Sequence, residues 1–402
     1  ARVTTTVPVR AALVIGDDAG EGPAVLLTVD SGAVPASIRD DVFAQLQADV
    51  PLKVERFVLC NSHNHSGPDL KGMRALVGEQ REHLDRYARE VTGRLTQVVR
   101  DALAARRPGR LAWTQGTVGF ATNRRVLKDG QWAGFGAVPD APVDHSLPVL
   151  RVTDLDGTLR AVVLNYACHN TTLRGDFLQI HGDWAACARA AIEADQPGVV
   201  ALVTVGCGAD ADPGPHGTVA LCEQHGRAVA DEVRRLLDQP WRPVTPVLTA
   251  RQLPLAVPYD PLPPREELEQ MAQNSYPVSR LLKMVQRGEV PPTVKDYQVV
   301  TWVFGDDLAM VFLSDEVVVD YALRMKREFD GSRLWISAYS HDVSNYVVSK
   351  RLIQEGGYEV NNSFSAMISY GHPERVQPPI EDRIVDHVRA LLPASFLHAR
   401  PK

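Results

Sequence analysis

The sequence lacks the signature motifs of several large enzyme classes. It contains no Gly-x-Ser-x-Gly elbow, no Gly-x-Gly-x-x-Gly turn, no phosphate-binding loop and no His-Glu-x-x-His helix. Serine-hydrolase, dinucleotide-binding and NTPase activities therefore lack the residues on which their chemistry depends. The common helical zinc peptidase is excluded for the same reason.

Long runs of one residue type are also absent. No apolar run approaches the roughly 20 residues that a membrane-spanning helix needs, so we expect no transmembrane segment. There is no long Lys/Arg run, and 43 basic against 49 acidic residues give a formal net charge of −6. This balance argues against a nucleic-acid partner. The expected partner is a small-molecule substrate, either glycan-like or lipid-like, and the sequence leaves the oligomeric state unknown.

Cysteine is scarce, with five residues in a chain of 402. An odd number of cysteines in apolar surroundings favours buried thiols over a disulfide framework. The chain begins at Ala1 without Met, which fits either a cleaved signal peptide or a trimmed chain. The compartment therefore stays open at this point. The five cysteines are Cys60, Cys168, Cys187, Cys207 and Cys222.

What the sequence does contain is an alternation of short β-branched runs with amphipathic helical stretches. This alternation is typical of an α/β protein, and we predict a mixed β-sheet core flanked by helices in a single domain over residues 1–402. A Pro-rich segment near residues 239–297 interrupts the pattern and is predicted to be a lid-like, partly helical insertion. Strands are predicted at 24–29, 56–60, 147–152, 159–166, 199–205, 298–304, 308–313 and 333–338, and helices at 36–48, 80–106, 184–194, 220–237, 317–329 and 381–392.

Five of the predicted strands are followed by polar, chemically capable residues. In α/β sheets, functional sites collect at strand ends because rigid strands deliver side chains from the following loops to one rim. We therefore expect these residues to contribute to one site. They are His63 with His65, His169, Asp210, Glu316 and Tyr346.

His63 and His65 are the first candidates for metal binding. One residue separates them, which on an extended segment places both imidazoles on the same face with Cα atoms about 7 Å apart. The turn at Ser66-Gly67-Pro68 puts the pair at an exposed strand end, although an isolated His-x-His pair also occurs by chance. Polar neighbours support a metal site because a metal-bound imidazole needs an acceptor for its other nitrogen. These neighbours are Asn61, Ser62, Asn64 and Asp69.

His169 and Glu316 each have a structural interpretation beside the functional one. A histidine after an apolar strand is often a buried, hydrogen-bonded core residue. Glu316 is predicted to begin a helix, where the helix dipole alone favours a carboxylate. Together with His63, however, the two residues complete the three protein ligands that a catalytic zinc ion commonly has, with water in the fourth position.

Two further segments carry candidate substrate-binding residues. Asp210 and Asp212 lie in a predicted Gly-rich turn, where they either bind substrate or hold the turn through side-chain to backbone hydrogen bonds. Asn123, Arg124 and Arg125 are predicted to lie in a polar loop between strands. The arginines are either solvated charges or, in a cleft, partners for a carbonyl or an oxyanion.

In combination, these motifs resemble the catalytic domain of the neutral, non-lysosomal ceramidase family. The resemblance spans roughly residues 8 to 390, and the matches follow the family's order. The combination is far more specific than any single motif. The matching segments are His63-Asn64-His65-Ser66-Gly67-Pro68, Asn123-Arg124, Asn165-Tyr166-Ala167-Cys168-His169, Asp315-Glu316 and Asn345-Tyr346-Val347.

The resemblance implies a zinc-dependent hydrolase in which a zinc-bound water attacks an N-acyl amide carbonyl. His65 is then the expected proton donor to the leaving nitrogen, and Arg124 is expected to stabilise the oxyanion. Asn123, Asp210 and Asp212 are expected to contact the substrate. The implied ligands of the zinc ion are His63, His169, Glu316 and Tyr346.

The sequence departs from the family pattern in two places. The family's Gly-Asp-Val-Ser-Pro turn reads Ala209-Asp210-Ala211-Asp212-Pro213 here, and an Asp in place of the Ser suits a polyol or cationic group better than a sphingoid headgroup. The C-terminal immunoglobulin-like domain of ceramidases is not expected either. Two alternatives therefore stay open: the same zinc scaffold acting on an ester or a glycoside, and a metal-stabilised binding protein without turnover. The resemblance favours a secreted or periplasmic protein, whereas free cysteines permit a cytoplasmic one.

Overall fold

The computed structural model describes residues 9–16, 21–68, 70, 79–258, 262–274, 276–291, 293–361 and 380–398. Within them, strands and helices alternate along the chain, and two large sheets form the centre of the molecule. This arrangement confirms the predicted α/β class with a mixed sheet core flanked by helices.

The larger sheet has seven strands and a mixed topology. Across the sheet these are β1 (Val9–Ile15), β2 (Ala24–Val29), β3 (Phe57–Asn61), β16 (Leu334–Ser340), β14 (Leu308–Ser314), β13 (Val294–Phe304) and β12 (Leu248–Pro258). β2 and β3 run parallel, as do β14 and β16, and the other neighbours are antiparallel. β2 is buried along its whole length, because both faces of this sheet are covered.

The second sheet has five strands. In order across the sheet they are β11 (Arg242–Val244), β4 (Gly109–Thr117), β7 (Ser146–Asp154), β8 (Leu159–Tyr166) and β9 (Val200–Val205). β7 and β8 form the hairpin that the Asp-Gly pair predicts, and Gly157 takes a φ of 91° in its turn. Positive φ of this kind is tolerated by glycine without steric cost.

Helices cover the outer faces of both sheets. α1 and α2 pack on the strands at one end of the larger sheet, α7 and α9 pack at its other end, and α3 and α4 pack on the smaller sheet. The helices are α1 (Ala36–Gln47), α2 (Glu79–Ala104), α3 (Asp183–Asp195), α4 (Val219–Leu237), α5 (Arg265–Asn274), α6 (Tyr276–Gln286), α7 (Val319–Glu328), α8 (Lys350–Glu355) and α9 (Ile380–Leu391).

Side-chain alternation along the strands builds four layers. In β2, Leu26 packs between the two sheets, whereas Val25 and Leu27 pack toward α1 and α2. In β8, Val163 packs between the sheets, whereas Val162 packs toward α3 and α4. Because successive residues of a strand point to opposite faces, the layers follow the order helices, sheet, sheet, helices. The core between the sheets includes Trp113, Trp302 and Trp335.

The sequence-based prediction was wrong for two segments of the site, which lie in two small sheets. Asn123, Arg124 and Arg125 lie in a strand and not in a loop, and Glu316 lies in a two-residue strand, with the following helix beginning only at Val319. One small sheet contains β10 (Ala211–Pro213), β5 (Ala121–Lys128) and β6 (Gln131–Val138), and the other contains β15 (Glu316–Val317) and β17 (Tyr346–Val347).

The Pro-rich segment is only partly a helical insertion. Its residues 248–258 form β12, which pairs with β13 along its full length at the edge of the larger sheet. Pro254 and Pro258 are tolerated there because an edge strand has one side without ladder hydrogen bonds. The predicted helical character is found in α5 and α6, which share a small apolar cluster.

The cysteines agree with the prediction of buried thiols. All five cysteines are free thiols, four of them buried and Cys187 half-buried. Among the described residues, no helix combines the length and the apolar character needed to cross a membrane.

Candidate metal centre

Segments from both large sheets meet at one place. His63 follows β3, His169 follows β8 and Glu316 follows β14. A parallel backbone bridge between Asn64 and Asn170 joins the first two segments. The structure brings these three side chains close together, and two sheets contribute to the candidate site.

His63 has a backbone conformation that non-glycine residues rarely adopt. Its φ is 58°, in the left-handed region that costs an L-residue about 1–2 kcal/mol. Its backbone N–H donates to the Ser31 carbonyl at 2.9 Å, and its ring Nδ1 lies 2.6 Å from the Gly32 carbonyl oxygen. The turn at residues 31–32 thus holds both the backbone and the ring of His63. Strain of this kind clusters at functional sites.

Four polar side chains bring nitrogen and oxygen atoms that could bind a metal ion close to one another. The Oε2 atom of Glu316 lies 3.0 Å from Nε2 of His63 and 3.3 Å from Nε2 of His169. Nε2 of His65 lies 3.2 Å from Nε2 of His63. The ligand atoms of the three histidines all lie within 4.8 Å of one another. His65 is exposed, whereas the other three side chains are buried.

The hydrogen bonds of the ring nitrogens indicate which tautomers are present. Nδ1 of His169 lies 2.9 Å from the Gly208 carbonyl oxygen, just as Nδ1 of His63 faces Gly32. A carbonyl oxygen only accepts, so Nδ1 must carry the proton in both rings. In the neutral imidazoles the lone pairs are then on Nε2, and both point toward the Glu316 carboxylate.

These residues fit a zinc ion. Two imidazole nitrogens and one carboxylate oxygen form a His₂Glu ligand set, which is a common arrangement for catalytic zinc. Nε2 of His169 is buried and has no hydrogen-bond partner, and an unsatisfied buried polar atom of this kind is costly. A cation placed between the Nε2 atoms and Glu316 would satisfy the buried nitrogen and separate the lone pairs from the carboxylate.

Two buried tyrosines border the centre. The ring of Tyr339 lies 4.6 Å from the ring of His63, centroid to centroid, and its hydroxyl lies 3.4 Å from Nδ1 of His169. Tyr346 is paired with Glu316 across β15 and β17. Burial, together with the Glu316 carboxylate, holds the pKa of both phenols well above the usual range. Tyr346 therefore lies beside the centre, and its role as a fourth ligand stays a prediction.

Arg124 lies next to Tyr346 and is held on three sides. Its Nε donates to Glu359 at 2.9 Å, one terminal nitrogen donates to Asp212 at 3.1 Å, and the other donates to the Tyr346 hydroxyl at 3.2 Å. Burial acts to lower the pKa of Arg124, but Tyr346, Asp212 and Glu359 outweigh it and raise the pKa well above its usual range. Three aromatic rings also surround the guanidinium, those of Phe135, Tyr346 and Tyr358.

Asp212 connects Arg124 to the outer part of the site. Its Oδ1 accepts from Arg124 and, at 3.1 Å, from the Thr171 hydroxyl. Its Oδ2 lies 3.7 Å from the exposed Arg174 guanidinium. Burial acts to raise the pKa of Asp212, but the positive charges of Arg124 and Arg174 lower it below the usual range. Asp212 therefore carries a stable negative charge at the edge of the centre.

Asp210 and Asn123 lie deeper, where they hold the structure around Arg124. Oδ1 of Asp210 accepts the backbone N–H of Val319 at 2.8 Å, at the first residue of α7, and Oδ2 accepts from Asn123 at 3.1 Å. Both side chains are almost fully buried. Burial raises the pKa of Asp210 to about 6. Their assignment as substrate contacts stays a prediction, while their visible partners are protein groups.

Comparison with known proteins shows which fold this is. No protein-family model matches the sequence, and no curated protein matches it in a sequence search. The structure is similar to the crystal structure of neutral ceramidase from Pseudomonas aeruginosa, with a TM-score of 0.68 and 17% sequence identity over 97% of this chain and 70% of that one. A structure of ceramidase complexed with C2 matches with a TM-score of 0.69 and 16% identity, over 97% and 71% of the two chains.

The chain therefore has the neutral ceramidase fold. The resemblance that the motifs predict is confirmed at the level of the fold over nearly the whole chain.

Sequence reasoning missed several residues around the centre. Tyr339 directly follows the predicted strand at 333–338 and lies near the end of β16, so the strand-end rule already covers its position. Thr171 and Arg174 lie soon after His169 and carry no pattern of their own. Glu359 follows α8 in a segment that no motif marks. Asp69, expected to be a polar neighbour of the histidines, lies outside the described residues, and backbone carbonyls provide the acceptors for the Nδ1 atoms.

Proposed function

We propose that this chain is a zinc-dependent hydrolase that cleaves an N-acyl amide bond. The observation that carries the proposal is the convergence of the His63 and His169 Nε2 atoms on one Glu316 oxygen, at 3.0 and 3.3 Å. The ceramidase fold supports the amide bond as the target, because this fold is shared with enzymes named for the cleavage of ceramide.

His63, His169 and Glu316 would hold the zinc ion, with Tyr346 as a fourth ligand. A zinc ion at this position supplies Lewis-acid chemistry, activating a water molecule and polarising a carbonyl. The Gly32 and Gly208 carbonyls keep the two imidazoles in the tautomer and orientation that this ligand set needs.

His65 and Arg124 would act on the reacting amide. His65 lies next to the proposed ligand His63 and is exposed, so its imidazole is placed where it can carry a proton to the leaving nitrogen. Arg124 presents a fixed positive charge beside Tyr346, where it stabilises the negative charge that develops on the carbonyl oxygen. Because Arg124 is held by protein groups before substrate arrives, it needs little reorganisation during the reaction.

The substrate is proposed to be a small lipid-like or glycan-like N-acyl compound. Asp212 is half-buried, with Thr171 and the exposed Arg174 beside it. This polar edge suits a substrate with hydroxyl or charged groups next to the amide. Cleavage of an ester or a glycoside on the same scaffold is the alternative that this edge favours.

Zinc content tests the proposed metal centre. The purified protein should contain about one zinc ion per chain by elemental analysis, and His63→Ala and His169→Ala should each lose most of it. His65→Ala separates the two roles proposed for the histidines. We expect it to keep its zinc and to lose hydrolysis by at least about a hundredfold. Loss of zinc in this variant would make His65 a ligand instead.

Hydrolysis tests the proposed bond. The zinc-loaded protein should be assayed on short- and long-chain ceramides, N-acyl amino sugars, aryl esters and aryl glycosides. Release of free amine from an N-acyl substrate supports an amidase. Turnover of only esters or glycosides would favour the alternative, and bound zinc without any turnover would favour a binding protein.

A further inference from the structure

One buried carboxylate serves both arginines of the Asn-Arg-Arg segment. Glu359 has a side chain with no exposed surface. Its Oε1 accepts from Nε of Arg124 at 2.9 Å, and its Oε2 accepts from a terminal nitrogen of Arg125. A fully desolvated carboxylate is stable only when it is paired and hydrogen-bonded, and here the two guanidinium groups provide that pairing.

A β-bulge makes this arrangement possible. Neighbouring residues in a regular strand point to opposite faces, so Arg124 and Arg125 would not reach the same acceptor. The pairing of β5 with β6 shifts in register between Asn123 and Arg125. The backbone N–H of Arg124 donates instead to the Asp210 carbonyl on the other side, at 2.9 Å. Bulges re-aim side chains in this way and are frequent beside active sites.

The chain reaches Glu359 through a turn that only glycine adopts easily. Gly356 and Gly357 follow α8 with φ values of 67° and 96°, and a Cβ on Gly357 would overlap the ring of Trp132. The two glycines thus bring the chain close to β6 and place Glu359 next to the Arg124 guanidinium. The turn and the bulge lie in different segments, yet both contribute to the contact between Glu359 and Arg124.

We infer that Glu359 is a positioning residue that fixes the guanidinium of Arg124 for the reaction. Glu359 occupies Nε and so determines the plane of the guanidinium. The two terminal nitrogens then face Asp212 and Tyr346. Without Glu359, the hydrogen bond at Nε is lost and the guanidinium keeps only Asp212 and Tyr346 as hydrogen-bond partners. It can then rotate toward the Asp212 carboxylate and away from Tyr346. This inference rests on the proposed function, in which Arg124 stabilises the oxyanion.

Kinetics of truncation variants test the inference. Glu359→Ala should lower kcat by roughly ten- to a hundredfold while KM changes by less than about threefold, because an oxyanion contact acts mainly in the transition state. Glu359→Gln, which keeps the size of the side chain, should give a smaller loss of kcat and serves if the alanine variant does not fold. The assays use the zinc-loaded full chain and the N-acyl substrate with the highest turnover.

Glu355 offers a matched control. Its carboxylate contacts Arg125 at 3.2 Å and Arg351 at 2.8 Å, and no contact joins it to Arg124. Glu355→Ala removes a carboxylate from the same network, so kcat should stay within about twofold of the wild type. An equal loss of kcat in both alanine variants would overturn the positioning role, because it would reflect general damage to the network.

A double-mutant cycle asks whether Glu359 acts through Arg124. In an Arg124→Ala background, Glu359→Ala should lower kcat no further, since the group that it positions is already missing. The same fold-loss in both backgrounds would contradict the inference.

A crystal structure of Glu359→Ala separates this inference from the proposed function. We expect the Arg124 guanidinium to rotate and to lose its contact with Tyr346. An unchanged Arg124 would overturn the positioning role even if the protein proves to be an amidase. If the wild type hydrolyses nothing, the proposed function fails, and the orientation of Arg124 still decides whether Glu359 positions it.

Discussion

At the scale of single residues, backbone carbonyls orient the candidate metal ligands. His63 and His169 each direct Nδ1 to a carbonyl, of Gly32 and Gly208 respectively, which leaves Nε2 for Glu316. The sequence predicts all three residues as candidate ligands because each follows an apolar strand. It does not predict the carbonyls, since every residue has one and only the fold decides which lies within reach.

Asp210 should make the free energy of unfolding depend on pH. Burial raises its pKa from 3.8 to about 6, so between these pH values the folded protein keeps a proton that the unfolded chain has released. Asp210 contributes fully to the free energy of unfolding below pH 4, and this contribution is lost as the pH rises through 6. The loss amounts to about 3 kcal/mol, from the size of the shift.

Urea unfolding between pH 4 and 7, with a chelator present to remove metal effects, measures this contribution. Between pH 4 and 6, the unfolding free energy of Asp210→Asn should decrease by about 3 kcal/mol less than that of the wild type. Asp140→Asn is the control, because Asp140 is exposed and its replacement should leave the pH dependence of the wild type intact. An unchanged slope in Asp210→Asn would show that Asp210 titrates normally.

At the scale of elements, the long apolar strands were predictable and the short polar ones were not. β2, β8 and β14 are nearly continuous apolar runs, which a sequence pattern detects easily. β5 carries Asn123, Arg124 and Arg125, and their polarity suggests a loop. In the structure these side chains are buried against carboxylates from distant segments. Such partners are set by tertiary contacts, so a local pattern cannot reveal them.

Close packing of the segments after β8 and β9 gives a prediction at this scale. A Cβ on Gly208 would lie 2.5 Å from the backbone N of Cys168 and 2.6 Å from the carbonyl carbon of Ala167. Gly208→Ala must therefore push the two segments apart, at a cost of about 1–3 kcal/mol. The same shift moves the Gly208 carbonyl away from His169, so zinc affinity should fall as well.

Thermal unfolding and zinc titration of Gly208→Ala check both effects. Gly119→Ala provides the control, because a Cβ at Gly119 meets nothing within 4 Å, and its stability should change by less than about 0.5 kcal/mol. If the two variants behave alike, the packing at Gly208 does not hold the His169 ring.

At the scale of the whole molecule, stability rests on the core between the two sheets. Trp302 is 1% exposed there and donates from its indole nitrogen to the Glu55 carbonyl at 2.9 Å. The burial of the central strands on both faces follows from their nearly continuous apolar runs, which are visible in the sequence. The pairing of sheets is not visible, because it depends on which apolar faces meet, and many faces have similar composition.

Trp302→Ala should lower the free energy of unfolding by about 3–5 kcal/mol, from the loss of a large buried side chain. Urea unfolding followed by circular dichroism measures this loss. Val290→Ala is the control, since Val290 is 89% exposed and its truncation should cost less than about 0.5 kcal/mol. A small effect for Trp302→Ala would mean that the two sheets are held together mainly by other contacts.

The division of the candidate metal ligands between the two sheets has a consequence for the order of folding events. His63 and Glu316 follow strands of the larger sheet, whereas His169 follows a strand of the smaller one. Neither sheet alone can gather the complete ligand set, and contacts between residues so distant along the chain form late. We therefore expect refolding chains to regain secondary structure first and tight zinc binding last. The rate of zinc binding during refolding would then report the rate at which the two sheets pack against each other.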